Sequence, residues 1–229
     1  MKKTLLAIAL SAASISAASA QDLTISLTNL THGSHFTPLL ISAHPASHHL
    51  FEISTVASAN LQAMAEGGNT TGLNTVLDAM SANSHNAADQ TAPGQTESFD
   101  LMTDAANTYL SVVGMVLPTN DGFVGLDGLT IPTAVGTYTY YLNAYDAGTE
   151  ANNEIINGAG TPGDIGIPGD PLGSGGTGAT GVAGLDNNDT VHVHRGVIGD
   201  TDAMGGSSDL DSRVHRWLNP VARLVIEVK

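Results

Sequence analysis

The sequence predicts an all-β protein: a C2-like β-sandwich of antiparallel sheets with short inserted helices. Both ends of the chain after residue 20 alternate between apolar and polar side chains, as a strand does when only one of its faces is buried. The alternation runs through Leu23–Thr28 at the start and through 222–229 at the end. Strands at both ends are typical of a sandwich, whose first and last strands lie within its sheets.

The segments between these two strands complete the prediction. Four of them are apolar or alternating over strand-like lengths: Glu97–Met102, Tyr109–Leu117, Thr137–Asn143 and Thr190–His194. Two others repeat apolar residues at the helical period and are predicted as helices, His48–Glu66 and Thr71–Met80. The Gly67-Gly68 pair after the first of these is typical of a helix C-cap. We expect both helices to decorate the sandwich and not to form a second domain.

The first 20 residues are predicted to be a Sec-type signal peptide of a bacterial secreted or periplasmic protein. The basic pair Lys2-Lys3 precedes an apolar run that starts at Leu5, and small residues at 18–20 come before the expected cleavage ahead of Gln21. The run is shorter than the ~20 apolar residues that a membrane-spanning helix needs, so no membrane insertion is predicted. The mature chain, residues 21–229, is predicted to form one domain.

The charge of the chain disfavours several kinds of partner. Its formal net charge is −15, which becomes −17 (−15 − 2) without the two lysines of the signal peptide, and only five basic residues then remain. Such a surface repels nucleic-acid phosphates and anionic lipid, and it attracts divalent cations. Part of the excess is also explained by solubility alone. The chain has no cysteine, so it offers neither disulfides nor a thiol nucleophile.

The segment 158–184 is rich in glycine and repeats Pro-Gly-Asp at 162–164 and 168–170. It lacks the glycine at every third position that a collagen helix needs. It also lacks the Gly-Lys-Ser/Thr of a phosphate-binding loop. We therefore expect a long mobile surface loop within the domain.

Two short acidic runs follow apolar strands and predict a metal site. They are Asn120–Gly125, after the strand that ends at Leu117, and Tyr145–Glu150, after the strand that ends at Asn143. Each places a carboxylate beside glycine, and such loops bring oxygen ligands to a calcium ion while glycine lets the backbone turn tightly. The alternative is that these are ordinary turn acids, since Asp and Asn favour turns through local hydrogen bonds. The candidate metal ligands are Asp121, Asp146 and Glu150.

The same runs resemble the spondin domain, the calcium-binding sandwich of the F-spondin amino-terminal region and of many bacterial secreted proteins. That family shows an apolar strand, a Pro and an Asp-x-Phe-Val-Gly turn, which here is Met-Val-Leu-Pro-Thr-Asn-Asp-Gly-Phe-Val-Gly at 115–125. A Tyr-Asp-Ala-Gly-Thr-acid loop then follows, here Tyr145–Glu150. The run Arg216–Arg223 is also similar to the bacterial branch of the family.

The resemblance implies that Asp121, Asp146 and Glu150 occupy the three calcium-ligand positions of the domain. Animal members have Asp at the position of Glu150, so this chain departs from them there by one methylene. They also carry cystines that this chain lacks. The implied role is non-catalytic binding or adhesion in the extracellular matrix or periplasm, with calcium as cofactor and an unidentified extracellular protein or glycan as partner. Three residues just past the loop are weaker ligand candidates, because such residues are ordinary in exposed polar loops: Asn152, Asn153 and Glu154.

The alternative function is a secreted metalloenzyme that uses the acidic loops or the pair His192 and His194. These imidazoles would lie on one face of a strand and suit zinc or copper, but packing or surface histidines explain the pair as well. No catalytic residue is predicted, since the chain has no Gly-x-Ser-x-Gly and no His-Glu-x-x-His. Trp217 is expected to pack against the core near the last strand. Three histidines near the start of the first predicted helix are expected to be solvated: His44, His48 and His49.

Overall fold

The computed structural model describes residues 19–173, 175–182 and 189–229. Residues 1–18 of the predicted signal peptide and positions 174, 183 and 184 of the Gly-rich segment lie outside the described residues. The described part contains ten strands and two helices, which follow one another along the chain as β1 (Asp22–Asn29), β2 (His35–Phe36), β3 (Leu40–His44), α1 (Ala59–Gly67), α2 (Thr71–Ala79), β4 (Asn83–Asn86), β5 (Thr96–Met102), β6 (Tyr109–Leu117), β7 (Gly122–Thr130), β8 (Gly136–Asp146), β9 (His192–Val193) and β10 (Ala222–Val228).

The strands form one continuous antiparallel sheet in the order β4-β3-β6-β7-β8-β10-β1-β5, with β2 paired to β6 and β9 to β8. The long strand β8 joins two halves, because Gly136–Leu142 pair with β10 whereas Asn143–Asp146 pair with β7. The sheet folds over until its two edge strands meet, where the ring of His85 on β4 stacks on that of Phe99 on β5 at 3.8 Å. The prediction of an all-β antiparallel fold with short inserted helices is confirmed.

The inner face of the sheet carries the main hydrophobic core. Leu23, Ile25 and Leu27 of β1 are completely buried, while the residues between them remain partly exposed. The partner strand β10 alternates in the same way, with Leu224 and Ile226 inside. Truncating one such leucine to alanine typically costs about 2–5 kcal/mol. The alternation of apolar and polar residues at the two ends of the sequence therefore arises because only one face of the sheet is buried there.

A second cluster of buried residues explains why β6 has no such alternation. Leu61 and Met64 of α1 pack with Val113 of β6 and Phe123 of β7. The helix thus covers the outer side of strands whose inner side already faces the main core. All residues of β6 after Tyr109 are buried, and a strand covered on both faces reads as a continuous apolar run.

The predicted strands are confirmed with differences in length. Tyr109–Leu117 matches β6 from end to end, and Thr137–Asn143 continues to Asp146 in β8. Thr190–His194 shortens to the two residues of β9. The helix predicted at Thr71–Met80 is confirmed as α2, and Trp217 is confirmed as a core residue.

Four strands were not predicted: β2, β3, β4 and β7. The most consequential is β7, which lies where the first acidic loop was expected to extend. It contains Gly122, Gly125 and Gly128, and glycine disfavours strands. Pairing with β6 on one side and β8 on the other outweighs this local preference. Only residues 118–121 remain as the turn between β6 and β7.

The helix predicted at His48–Glu66 is wrong over its first half. The observed helix α1 begins after Ser58, whose hydroxyl accepts the backbone N–H of Leu61 at 3.1 Å as an N-cap. Its predicted end is confirmed, because Gly68 takes a left-handed conformation with φ 69° and caps the last turn.

Hydrogen bonds to residues far along the chain keep residues 48–58 from forming the first part of the predicted helix. The backbone N–H of Ser54 donates to the carbonyl of Val191 at 2.8 Å. The carboxylate of Asp127 accepts the N–H of Leu50 at 2.7 Å. These bonds satisfy the backbone without helical turns, so the apolar period of the segment reflects burial of Leu50 and Phe51 and not a helix.

The expectation of a mobile surface loop is wrong for part of the Gly-rich segment. Ile167 is completely buried in the main core. The backbone N–H of Gly163 donates to Oε2 of Glu66 at 2.7 Å, and that of Gly166 donates to Oε2 of Glu150 at 2.8 Å. Buried carboxylates need donors, and this segment supplies them from its backbone.

Candidate metal centre

The first candidate ligand lies at the end of a tight turn between two paired strands. Thr119 closes this turn, because its hydroxyl donates to the carbonyl of Val116 at 2.6 Å and accepts the N–H of Gly122 at 3.0 Å. The next residue in the turn, Asn120, is also buried. The turn therefore fixes the position of Asp121 before β7 begins.

Asp121 is completely buried, and hydrogen bonds from the described residues reach only one of its two carboxylate oxygens. Its Oδ2 accepts the N–H and the hydroxyl of Thr149 at 2.8 and 3.1 Å, and the N–H of Glu150 at 3.2 Å. Its Oδ1 has no hydrogen-bond partner among the described residues. Burial, and then the negative charge of Asp146, raise the pKa of Asp121 to about 7. A buried carboxylate with one bare oxygen is costly, and a cation would relieve that cost.

Asp146 stands opposite this turn because the register of β7 and β8 pairs Gly122 with Asp146. Its Oδ1 accepts the N–H of Gly148 at 2.8 Å, and its Oδ2 accepts the amide of Asn152 at 2.6 Å. Gly148 is in the left-handed region with φ 69°, and a Cβ there would lie 2.6 Å from backbone atoms of Thr190. Glycine is therefore required for the loop that carries the next ligand candidate.

Glu150 is buried beside the same turn. Its Oε2 accepts from the amide of Asn120 at 3.2 Å and from the N–H of Gly166 at 2.8 Å. Its Oε1 has no hydrogen-bond partner among the described residues. Burial raises the pKa of Glu150 to about 7, with smaller contributions from the charges of Glu66 and Asp121.

The structure thus brings all three predicted ligands to one end of the sheet. In the part of the chain that it describes, one oxygen of Asp121 and one of Glu150 accept no hydrogen bond. The donor set consists of oxygens, which suits calcium. In the described part of the chain, however, no three His, Asp or Glu side chains are gathered closely enough to hold a metal ion as they stand. The carboxylates are instead partly turned toward backbone N–H groups. The residues fit a hard cation by chemistry and burial, and the loops would have to draw them together around it.

The three weaker ligand candidates do not lie in an exposed loop as expected. Asn152 and Glu154 are both buried. Both carboxylate oxygens of Glu154 bind a segment that lies more than 40 residues further along the chain. Oε1 accepts the N–H of Ile198 at 2.7 Å. Oε2 accepts the N–H of Gly199 at 2.8 Å and the hydroxyl of Ser208 at 2.6 Å. Its role is therefore to hold chain segments together.

The third of these, Asn153, lies beside Asn120, whose amide donates to its side-chain oxygen at 3.0 Å. That oxygen also accepts the N–H of Ile155 at 3.1 Å. Asn153 thus helps to orient the amide that supports Glu150.

The two histidines of the predicted pair, His192 in β9 and His194 just after it, have different surroundings. Nε2 of His192 lies 3.7 Å from Oδ2 of Asp146, next to the candidate centre. His194 is buried, its Nδ1 accepts the N–H of Gly196 at 2.9 Å, and its ring packs 5.0 Å from that of Trp217. The packing interpretation is confirmed for His194.

One of the three histidines expected to be solvated is fully buried. Nε2 of His44 lies 2.7 Å from the hydroxyl of Ser111, because β3 is an inner strand and not the approach to a helix. His49 is exposed as expected and its Nδ1 lies 2.5 Å from Oδ2 of Asp127. His48 is half-buried.

Sequence reasoning also missed a buried acid near this centre, Glu66. It lies near the end of α1, where its Oε1 accepts from the amide of Gln62 at 2.8 Å and its Oε2 accepts from Gly163. Its charge helps to raise the pKa of Glu150. A signal was present, since a carboxylate in the last turn of a helix opposes the helix dipole and needs another reason to be there.

The fold and this centre define a class: an antiparallel β-domain whose acidic turns converge at one end of the sheet. The family model described as Spondin_N matches residues 28–155, more than half of the chain, and the chain belongs to this family. Such domains are typically extracellular and are not known as enzymes. No curated protein matches the chain. None of the helices in the described ranges is long and apolar enough to cross a membrane.

Proposed function

We propose that this chain is a secreted, calcium-supported binding module with a non-catalytic role in adhesion. The observation that carries the calcium assignment is the pair of bare oxygens, Oδ1 of Asp121 and Oε1 of Glu150, on buried carboxylates at one end of the sheet. Oxygen atoms left without donors in a buried site are what a hard cation satisfies. Asp146 supplies the third charge.

In this proposal each of the three acids has a defined task. Asp121 links the β6–β7 turn to the backbone of Thr149, so a cation bound there would stiffen both loops. Glu150 links the ion to the Gly-rich segment through Gly166. Calcium takes about six to eight oxygens, so backbone carbonyls and water complete the set. The ion supplies positive charge that offsets the mutual repulsion of the carboxylates.

The adhesion role is proposed on the support of the family and of the surface charge. Spondin-type domains are typically extracellular, and the net charge of −17 (−15 − 2) expected after removal of the signal peptide favours positively charged partners over nucleic acid or anionic lipid. Secretion by the predicted signal peptide would leave a mature chain that starts at Gln21. Mass analysis of the native amino terminus tests this part alone, and a retained Lys2 contradicts it.

Calcium titration of the purified domain tests the site. We expect Asp121→Asn and Asp146→Asn to lose most calcium affinity, measured by calorimetry, because each removes a buried charge from the centre. Glu150→Asp is expected to be milder, since it keeps the carboxylate. The matched control is Asp100→Asn, whose acid is exposed on β5 and bonded to Lys229.

Melting curves give an independent readout. Calcium at one hundred times its dissociation constant adds about 2.7 kcal/mol to the free energy of unfolding if only the folded state binds it. The melting temperature of the wild type and of Asp100→Asn should therefore rise with calcium, while that of Asp121→Asn should not. Equal curves with calcium and with chelator in the wild type would exclude a structural calcium site.

A further inference from the structure

A hollow of about 390 Å³ lies beside the candidate metal centre, on the other face of β8. Its walls are two aromatic rings, Phe51 and Tyr145, two aliphatic side chains, Leu126 and Ile53, and the carboxylates of Glu52 and Asp127. The ring of His49, bonded to Asp127, completes the lining. We call it the aromatic hollow. Its volume lies within the range of about 300–1,000 Å³ that is typical of sites for small ligands or single side chains.

The aromatic wall is built into the fold. The rings of Phe51 and Tyr145 lie 4.9 Å apart at an angle of 53°, and both contact the buried ring of Phe123 at 5.0 and 5.7 Å. Gly125 makes room for them, since a Cβ at this position would lie 2.8 Å from Cζ of Phe51 and 3.0 Å from Cδ2 of Tyr145. The glycine of the Asp-x-Phe-Val-Gly motif therefore allows two rings to lie against the backbone of β7.

Asp127, one of the two acids of the hollow, is held in place by hydrogen bonds. Oδ1 of Asp127 accepts the N–H of Leu50 at 2.7 Å and the hydroxyl of Ser111 at 3.2 Å, while its Oδ2 lies 2.5 Å from Nδ1 of His49. These bonds attach residues 49–52 to β7, so the hollow needs little ordering when a ligand enters.

Glu52 differs from Asp127 because its carboxylate is exposed and makes no hydrogen bond or ion pair within the described residues. Glu52 lies close to His49, because its negative charge contributes to raising the pKa of that histidine. An exposed carboxylate beside two aromatic rings is an arrangement that attracts a cation, since the ring faces carry partial negative charge. An anion would meet the unpaired carboxylate of Glu52 and the negative net charge of the whole chain, whereas the imidazole of His49 in this hollow is bonded to Asp127.

The rim of the hollow is apolar and exposed. Ile53 is 54% exposed, and Val56, which lines an adjoining hollow together with Glu52, is 75% exposed. Long basic side chains lay their methylene stems along apolar surface while the charged head reaches an acidic or aromatic partner. A rim of this kind next to an acidic, aromatic pocket therefore matches lysine or arginine better than it matches a small inorganic cation.

We propose that the aromatic hollow binds an arginine or lysine side chain of an extracellular protein partner, with Phe51 and Tyr145 against the cationic head and Glu52 as its counter-ion. This inference rests on the proposed binding role of the domain and assigns to it a site and a chemical class of partner. The guanidinium of arginine suits the site better than an ammonium, because its flat face stacks on aromatic rings and its N–H fork matches a carboxylate.

The test uses two small probes of the same shape, N-acetyl-arginine amide and its uncharged analogue N-acetyl-citrulline amide. Binding is followed at pH 8 by NMR shifts of the Phe51 and Tyr145 ring protons in the calcium-loaded wild-type domain. We expect arginine to bind about tenfold more tightly than citrulline, from the cation–π contact and the ion pair together. Equal binding of the two probes, or no shift of these ring protons, overturns the inference.

Charge variants provide the second arm. Glu52→Gln is expected to weaken arginine binding about threefold, and Glu52→Lys to abolish it. The matched control is Glu227→Lys, which introduces the same change at an exposed position on β10 and should leave arginine binding within error of the wild type. Equal weakening by Glu52→Lys and Glu227→Lys would mean that only the overall charge matters and would overturn the site. Tighter binding of methyl glucoside than of arginine would also overturn it in favour of a glycan.

The calcium proposal and the hollow can fail separately. Arginine binding in the hollow by a domain that shows no calcium affinity would support this inference and reject the metal centre alone. A domain that binds calcium through Asp121 and shows no preference for arginine over citrulline would reject the hollow alone. The Asp121→Asn variant distinguishes the two cases when its calcium affinity and its preference for arginine over citrulline are both measured.

Discussion

Glu150 and Gly166 are joined by a hydrogen bond of 2.8 Å from the backbone N–H of the glycine to Oε2 of the carboxylate. This bond connects the acidic loop after β8 to the Gly-rich segment. It also orients the carboxylate so that its other oxygen, Oε1, is left bare. The Gly-rich segment is thus part of the support of the candidate metal centre.

The raised pKa values of Asp121 and Glu150 predict that calcium affinity depends on pH. Both are about 7 in the folded protein, and calcium must displace the protons before it binds. We expect the dissociation constant at pH 6 to be at least about tenfold weaker than at pH 8, with proton release on binding. Calorimetry in two buffers of different ionisation enthalpy measures both. A constant affinity from pH 6 to 8 would contradict the assignment.

The same shifts predict the pH dependence of stability without calcium. An aspartate has a pKa of about 3.9 when unfolded, so between about pH 4 and 7 folded Asp121 holds a proton that the unfolded chain has lost. The folded state is then favoured at the acid side of this window, and its contribution is lost as pH rises through about 7. Urea unfolding in chelator should show this decline in the wild type. The decline should be smaller in Asp121→Asn.

Gly148→Ala is predicted to damage the loop between Asp146 and Glu150. The position has φ 69°, and the added Cβ would lie 2.6 Å from the backbone of Thr190. We expect a loss of at least about 2 kcal/mol in the free energy of unfolding, together with weaker calcium binding. Gly94→Ala is the control, since Gly94 has φ 74° with nothing within 4 Å of its Cβ position. Similar losses in the two variants would show that backbone strain alone is responsible.

Gly125→Ala is predicted to disturb the aromatic hollow. The new Cβ would press on the rings of Phe51 and Tyr145, which overpacks the site and costs about 1–3 kcal/mol. Arginine binding should weaken, and the NMR signals of both rings should shift. Gly169→Ala is the control, because its Cβ would meet nothing within 4 Å. Unchanged ring signals in Gly125→Ala would contradict the packing.

Glu154→Gln is predicted to weaken the fold without changing calcium affinity. The amide would replace one oxygen that accepts from Ile198, or from Gly199 and Ser208. Hydrogen bonds to a charged group contribute about 1.5–3 kcal/mol each, so a loss of this order is expected in urea unfolding. Reduced calcium affinity would show instead that Glu154 is a ligand, as the sequence had allowed. Glu227→Gln, at an exposed position, serves as the control.

The strands that alternate or are continuously apolar could be predicted from sequence because their pattern is local. Leu23–Thr28 and Tyr109–Leu117 are examples, each with burial that follows the pleat or covers both faces. The strand β7 could not be predicted, because its glycines disfavour a strand and only pairing with β6 and β8 holds it. The false helix start at His48 has the same origin, since bonds to Asp127 and Val191 lie far along the chain.

For this protein the sequence by itself determined the all-β class, the family and the identity of the acids at the end of the sheet. Only the tertiary structure decided that Asp121 and Glu150 are buried, each with one oxygen that has no hydrogen-bond partner in the described ranges, and that Glu66 lies near them. It also decided that Glu154 holds chain segments together and that Phe51, Glu52 and Tyr145 share a hollow. The physical reason is that side-chain type and periodicity are local properties. Burial, electrostatic coupling and the choice of hydrogen-bond donor depend on segments that meet only when the sheet folds over on itself.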